Sequence, residues 1–415
     1  MNEALTPAAG ADLMPLVDPD SFPLLARART AGEPLAYLDS AASAQKPAVV
    51  LERMRDFYVQ DYANIHRGVY PLSERSTEAY ENSRARVAQF LNAKTDEIVF
   101  TRGATEAINL VAFSFGERFL KPGDRILVSA LEHHANIIPW QMLRDRRGLR
   151  LEVIPIDDNG DIDMPAFGRL IDGAALVCIT AVANTLGTVT PLAEIIALAH
   201  RAGAKVMVDA AQGAPHLRLD VKALDCDFLA FTGHKVYGPD GIGVLYGKEA
   251  LLAEMPPWQT GGDMIRTVTF ERTLFAEPPR RFEAGTPPIG AAIGLATALD
   301  FIEGVGFDRI GAQDRALTEY AIGILGEIPG LKLVGAPHRR SGIVSFVMDG
   351  LHPHDVGTLL GAEGICVRTG HHCAQPLMDQ LGIVGTVRAS FAVHSHAGDI
   401  QRLAQALVKA RQLLG

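Results

Sequence analysis

The feature that most constrains this chain is a succession of short apolar segments, at 97–101, 125–129, 151–155, 175–181, 205–209, 227–231 and 243–246, set between amphipathic stretches of helical pattern. Strands spaced this way predict right-handed crossovers and a mostly parallel sheet covered by helices on both faces. In such a sheet ligands lie outside the carboxyl ends of the strands, so functional residues are sought just after them. Near 285–294 the pattern changes to helix, at 289–310 and 313–325, followed by strands near 342–348 and 365–368 and a terminal helix. The expected class is α/β. A large domain is expected over 33–298, a smaller α+β C-terminal domain over 299–415, and an N-terminal arm, 1–32, folding back on the smaller domain. At 415 residues the chain is long enough for one sizeable core and a lesser one.

Composition narrows the function. Apolar residues at 48% and charged residues at 21% match an ordinary soluble protein. The net charge of -9 comes from mixed charges with no basic block, which speaks against a nucleic-acid surface. No apolar run reaches the length of about 18 residues that a membrane span needs, and residues 1–20 carry Asp and Glu where a signal peptide carries Lys and Arg. Cys178, Cys226, Cys366 and Cys373 show no CxxC spacing, so a reducing cytoplasm and small-molecule chemistry are expected.

Lysine is scarce, with nine residues beside thirty arginines, so Lys235 on a glycine-flanked turn stands out. It follows the strand at 227–231 in Thr232-Gly233-His234-Lys235, while the neighbouring strand at 205–209 ends in Asp209. An amine there can form a Schiff base, and a carboxylate beside it can keep a pyridine nitrogen protonated, as pyridoxal phosphate requires. A solvated lysine and a helix-capping aspartate would give the same pair. Other strand ends weigh against that bland account. Thr101 to Asn109 follows a strand and opens a helix, a cup for a phosphate that could equally be a capping box. His133, after 125–129, can stack on a ring and move protons, and Asn184, after 175–181, can donate to a phenolic oxygen.

Taken together, Tyr37-Leu38-Asp39-Ser40, Arg102-Gly103-Ala104-Thr105-Glu106, Glu132-His133-His134-Ala135-Asn136, Asp209-Ala210-Ala211-Gln212, Gly233-His234-Lys235, Arg281 to Thr286 and Arg368 to Cys373 resemble the group II cysteine desulfurases, closest to the SufS branch of the fold-type I, class V aminotransferase-like enzymes. The resemblance runs from about Phe22 to the C-terminus. It implies pyridoxal 5'-phosphate as cofactor, Lys235 as its Schiff-base lysine and Asp209 on its pyridinium nitrogen. It implies Gln212 and Asn184 near the phenolic oxygen, His133 over the ring, and Thr105, Thr232 and His234 on the phosphate. Thr286 would reach the phosphate of a neighbouring subunit, hence a homodimer with sites at the interface. Arg388 would grip the carboxylate of L-cysteine, and Arg368 would order substrate and loop. Cys373 would be the nucleophile that takes the sulfur as a persulfide while alanine leaves, and a SufE-like or SufU-like acceptor would carry that sulfur to iron–sulfur cluster assembly. Two departures are visible: Ala104 replaces a hydroxyl that relatives often carry, and Val393-His394-Ser395-His396 replaces a Tyr-Asn-Thr pattern.

The other cysteines read as small buried hydrophobes, whereas Cys373 lies among Arg368, His371 and His372 on a turn marked by Gly370 and Pro376, surroundings that favour an accessible thiolate. That stretch is short, so an acceptor must come to the thiol. Rival readings are a selenocysteine lyase or cysteine sulfinate desulfinase on the same scaffold, and a plain aminotransferase, which would have no use for the thiol. A metal site built from histidines 338, 352, 354, 371, 372, 394 and 396 is a further rival, requiring three or four of them to converge.

Overall fold

The computed structural model describes residues 13–414, so the first twelve residues of the expected arm lie outside the described residues. Seven strands form the larger sheet: β1 (Ile98–Thr101), β2 (Arg125–Ser129), β3 (Arg150–Ile154), β4 (Ala174–Thr180), β5 (Lys205–Asp209), β6 (Phe228–Thr232) and β7 (Gly243–Gly247). Their order is β1-β7-β6-β5-β4-β2-β3. Strands β2 to β6 pair in parallel, and β7 runs antiparallel between β1 and β6. The carboxyl ends of β1 to β6 therefore open on one edge. Strands β1, β6 and β7 are buried throughout, as expected where both faces are covered, and β3, at the sheet's edge, is the polar exception. The α/β class and the mostly parallel sheet are as the sequence pattern predicts.

One face is closed by Ala48–Gln60, Pro71–Leu91 and the apolar helix Ile289–Val305. The contact is close because Gly290 and Gly294 lack side chains: a Cβ at either would sit 2.6 Å from Tyr58 or Met54. Ala298 is fully buried within this helix. The expected helix at 289–310 ends earlier, at Val305, because Gly306 adopts φ 93°; the chain bends by 72° into Phe307–Gly326. Among the described residues no single helix is long and apolar enough to cross a membrane.

The second sheet is antiparallel, in the order β8-β9-β11-β10, from β8 (Leu331–Val334), β9 (Ile343–Met348), β10 (Arg368–Gly370) and β11 (Thr386–Ser390). Phe307–Gly326, Pro353–Ala362 and Ala397–Leu414 supply its apolar cover, with Leu317, Tyr320, Phe346, Val387 and Leu403 in one cluster. The single strand expected at 365–368 is divided between two partners. Ile365–Cys366 pairs in parallel with Ala36–Tyr37, whereas Arg368 lies opposite Arg388 on β11. That division brings Asp39, bridged to Ser390, beside both arginines.

Residues 13–17 lie along the segment after β11: Val17 N–H donates to Val393 O at 3.0 Å, and Ala397 N–H donates to Leu13 O at 3.0 Å. Phe22 meets the His394 ring edge-on, 5.0 Å between centroids. The unusual His394 is thus a buried packing residue, its Nε2 without a partner.

Candidate active site

The strand ends and the second sheet enclose one cavity of about 1040 Å³. From the larger sheet come Thr105 after β1, His133 after β2, Asn184 after β4, Asp209 and Gln212 at the end of β5, and Thr232, His234 and Lys235 at the end of β6. From the second sheet come Arg368, Arg388 and Cys373. Eleven of the twelve site residues named from the sequence line it; Thr286 does not, and is exposed on its own loop.

At one end, Gly103 and Ala104 start a helix whose first N–H groups face the cavity, with Thr232 beside them. The turn can sit this close to the sheet because β7 opens with Gly243, whose Cβ would lie 2.4 Å from Gly103 Cα. This cradle suits an anion. At the other end Asp209 is 4% exposed, its Oδ1 accepting the Ala211 N–H at 2.9 Å. Burial raises the Asp209 pKa, opposed by the Ala211 N–H and Lys235. Burial lowers the Lys235 amine to about 8, with Asp209 opposing and Arg388 adding to the fall. An amine so placed can be freed of its proton near neutral pH, as a nucleophile or base must be.

His133 is lowered to about 4 by burial, then by Lys235, His134 and Arg388, and its Nδ1 accepts the Ala135 N–H at 3.0 Å. The imidazole is therefore neutral, with its proton on Nε2. Gln212 donates to Ala41 O at 2.5 Å and leaves Oε1 buried without a partner. Asn184 behaves differently from expectation: its Nδ2 donates to His372 O at 2.7 Å, so the side chain braces the loop of Cys373.

Arg388 is 2% exposed and donates Nη1 to Asn184 O at 2.8 Å, while its Nε and Nη2 have no hydrogen-bond partner. Asp39 lies 3.5 Å from Nη2 but is held by Arg368, Nη2 to Oδ2 at 2.8 Å. Two free donors on one planar guanidinium make a fork for a carboxylate. Cys373 is the one exposed cysteine; Cys178 and Cys226 are buried, which pushes both thiols up, Cys226 to about 12.

Sequence reasoning missed the supports. Glu132 is 1% exposed and accepts from Ser129 Oγ at 2.5 Å, Thr180 N–H at 2.8 Å and Asn136 Nδ2 at 2.7 Å, tying β2, β4 and the turn bearing His133. Burial raises it to about 8 despite those donors. Lys46 donates to the carbonyl of His234 at 3.2 Å, next to Lys235. Glu283 takes both ends of the buried Arg84 guanidinium, at 2.7 and 2.9 Å, so the Arg281 to Thr286 motif is largely scaffold. Only the recurrence of these residues inside the quoted motifs pointed to them. The seven late histidines scatter: His338 pairs with Asp161, His352 caps its own helix and His394 packs on Phe22. Among the described residues no three His, Cys, Asp or Glu side chains gather to hold a metal ion.

Four buried histidines make a pH prediction. Burial depresses His133, His234 and His394 to about 4 and His372 to about 3, all below the unfolded value near 6.5. A depressed folded pKa contributes stability that is present above about pH 6.5 and lost as pH falls toward 4, because the unfolded chain takes up the protons first. Urea unfolding of the apoprotein at pH 7, 6 and 5 is expected to show stability falling by several kcal/mol in all. His394→Leu, away from the cavity, should flatten that fall by up to about 1.4 kcal/mol per pH unit. An unchanged slope would remove His394 from the balance.

Comparison with known proteins agrees with this geometry. The aminotransferase class-V family pattern matches residues 36–403. A cysteine desulfurase of Dickeya dadantii (strain 3937) is 53% identical over 397 residues, 95% of this chain and 96% of that one. The crystal structure of the Escherichia coli cysteine desulfurase CsdA, in an S-sulfonic acid form, superposes with a TM-score of 0.89 at 40% identity, covering 96% of this chain and 100% of that one. A mutant of C-DES with glycine covalently linked to its PLP cofactor superposes with a TM-score of 0.81 at 25% identity, covering 94% and 99%.

Proposed function

The chain belongs to the aminotransferase class-V family and is a pyridoxal-phosphate-dependent cysteine desulfurase, and from that premise we propose that it moves sulfur from L-cysteine to Cys373 for a SufS-type iron–sulfur assembly route. The observation that carries the assignment of roles is that one exposed thiol, Cys373, and one buried amine of lowered pKa, Lys235, line the same cavity from opposite sheets.

The residues present fit the cofactor. The unpartnered Gln212 Oε1, the buried Asp209 and the cradle that a Cβ at Gly243 would fill all await a polar occupant. Thr105, Thr232 and His234 would hold the phosphate, Asp209 the ring nitrogen, Gln212 and Asn184 the phenolic oxygen, His133 the ring face and Lys235 the aldehyde carbon. Bound there, pyridoxal phosphate supplies the electron sink for the substrate's Cα. Arg388 takes the substrate carboxylate on its two free donors, and Arg368 orders the same end. The Lys235 amine removes the Cα proton, and neutral His133 moves protons at its Nε2. The Cys373 thiolate attacks the substrate sulfur, an S–S bond forms and the Cβ–S bond breaks. The net change converts L-cysteine and the Cys373 thiol into L-alanine and the Cys373 persulfide.

In this reading residues 33–298 form the cofactor domain, 299–415 the domain of the nucleophile, and 1–32 an arm on the latter. The protein is a cytoplasmic homodimer: Tyr58, Val59, Tyr62 and Val69 on and after helix Ala48–Gln60 expose an apolar face, Val69 by 95%, and Thr286 needs a second subunit to find a cavity. The acceptor is a SufE-like or SufU-like carrier. Alanine and sulfide release from L-cysteine, measured with each carrier and with a reductant alone, is expected to rise with one carrier, persulfide passing from Cys373 to that carrier's cysteine. Full turnover with reductant alone, or a preference for selenocysteine or cysteine sulfinate, would replace this reading by one of its rivals.

A further inference from the structure

The loop that presents Cys373 is held in an uncommon conformation. His372 and Cys373 both adopt φ 55°, in the left-handed region that residues with side chains seldom enter and that persists only where surroundings enforce it. Asn184 Nδ2 fixes the carbonyl of His372, and His372 Nε2 shares a 2.7 Å hydrogen bond with Thr386 Oγ1. The following two residues are held by a single partner on the larger sheet's side of the cavity, His134. Its backbone N–H donates to Cys373 O at 2.7 Å, and its Nε2 accepts the Gln375 N–H at 3.0 Å. His134 thus clasps the loop on both sides of the Cys373–Ala374–Gln375 turn, although it does not itself line the cavity.

We propose that His134 is the positioning residue of the sulfur step: through the Gln375 N–H it sets where the Cys373 thiol stands relative to the substrate. The proposal rests on the reading of Cys373 as nucleophile. It also explains why the turn carries two histidines: His133 faces the cavity and His134 faces the loop. Accepting at Nε2 requires that nitrogen to be unprotonated, and partial burial together with His371 lowers the His134 pKa accordingly.

The test uses His134→Phe, which removes the acceptor at similar size, His134→Asn, whose amide stops short of Gln375, and His134→Gln, which returns an oxygen near the Nε2 position. In the loaded enzyme two rates are compared, exchange of the α hydrogen of L-alanine with deuterated solvent, which needs only Lys235, and alanine formation from L-cysteine, which needs the thiol. In the apoprotein, hydrogen exchange of the peptide spanning 371–376 reports the clasp directly. The Phe and Asn variants are expected to keep α exchange within about threefold and to lose alanine formation by about 10²-fold, as a misplacement near 1 Å would cause. They should also lose protection in that peptide, and His134→Gln should recover both. If His134→Phe does not fold, His134→Asn carries the comparison. Alanine formation and protection unchanged in a folded Phe or Asn variant would overturn the proposal, as would a parallel loss of both rates. Cys373→Ser run beside them separates the two readings: full alanine formation by that variant refutes the nucleophile itself.

Discussion

Lys235→Ala is expected to bleach the protein and to abolish desulfurisation. Among nine lysines, Lys235 stands at a strand end facing Asp209, with its amine lowered to about 8 by burial. Losing that amine removes both the covalent anchor of the cofactor and the base that takes the Cα proton, and proton transfer alone is worth about 10²- to 10⁴-fold. Alanine formation should therefore fall by at least about 10⁴-fold, and the visible absorption of the lysine-linked cofactor should vanish. In the wild type, borohydride reduction followed by peptide mapping should place the pyridoxyl group on Lys235. Its recovery on Lys46, the other lysine of lowered pKa near the same turn, would reassign the anchor.

Cys373→Ser separates the two halves of the site. Because Lys235, Asp209 and Arg388 are untouched, the variant should bind cofactor normally and still exchange the α hydrogen of L-alanine. A serine hydroxyl is a far poorer nucleophile toward sulfur than a thiolate, so alanine formation from L-cysteine should drop on the order of 10³-fold or more, with no persulfide trapped on the protein. Persulfide found on Cys366, which is half-buried and whose thiol burial pushes up, would move the nucleophile. L-selenocysteine is expected to lose less, since selenium leaves more readily than sulfur.

The larger sheet was legible because its signals are local. Buried parallel strands write continuous apolar runs, and the polar residue that ends each run lies within a few positions of it, so Asp209, Lys235, His133 and Asn184 could be placed at one edge from their neighbours in sequence. The bend at Gly306 was missed because a glycine inside a helical pattern is usually tolerated, and φ 93° is a property of the folded backbone.

What only the tertiary structure decided is how distant segments meet. The sequence named Arg388, Arg368 and Asp39 but could not show that dividing 365–370 between two strand partners stacks all three. It named Asn184 but not that its amide is taken by the loop of Cys373, and it quoted His134 and Glu132 without revealing that one clasps that loop and the other ties the turn beneath it. It placed Thr286 in a motif, whereas the fold turns that residue away from its own cavity. Periodicity and turn chemistry are settled by residues within about four positions, so a single chain displays them directly. A hydrogen bond between side chains on different sheets is chosen by which buried groups would otherwise go unpaired, and that choice exists only once the chain has packed.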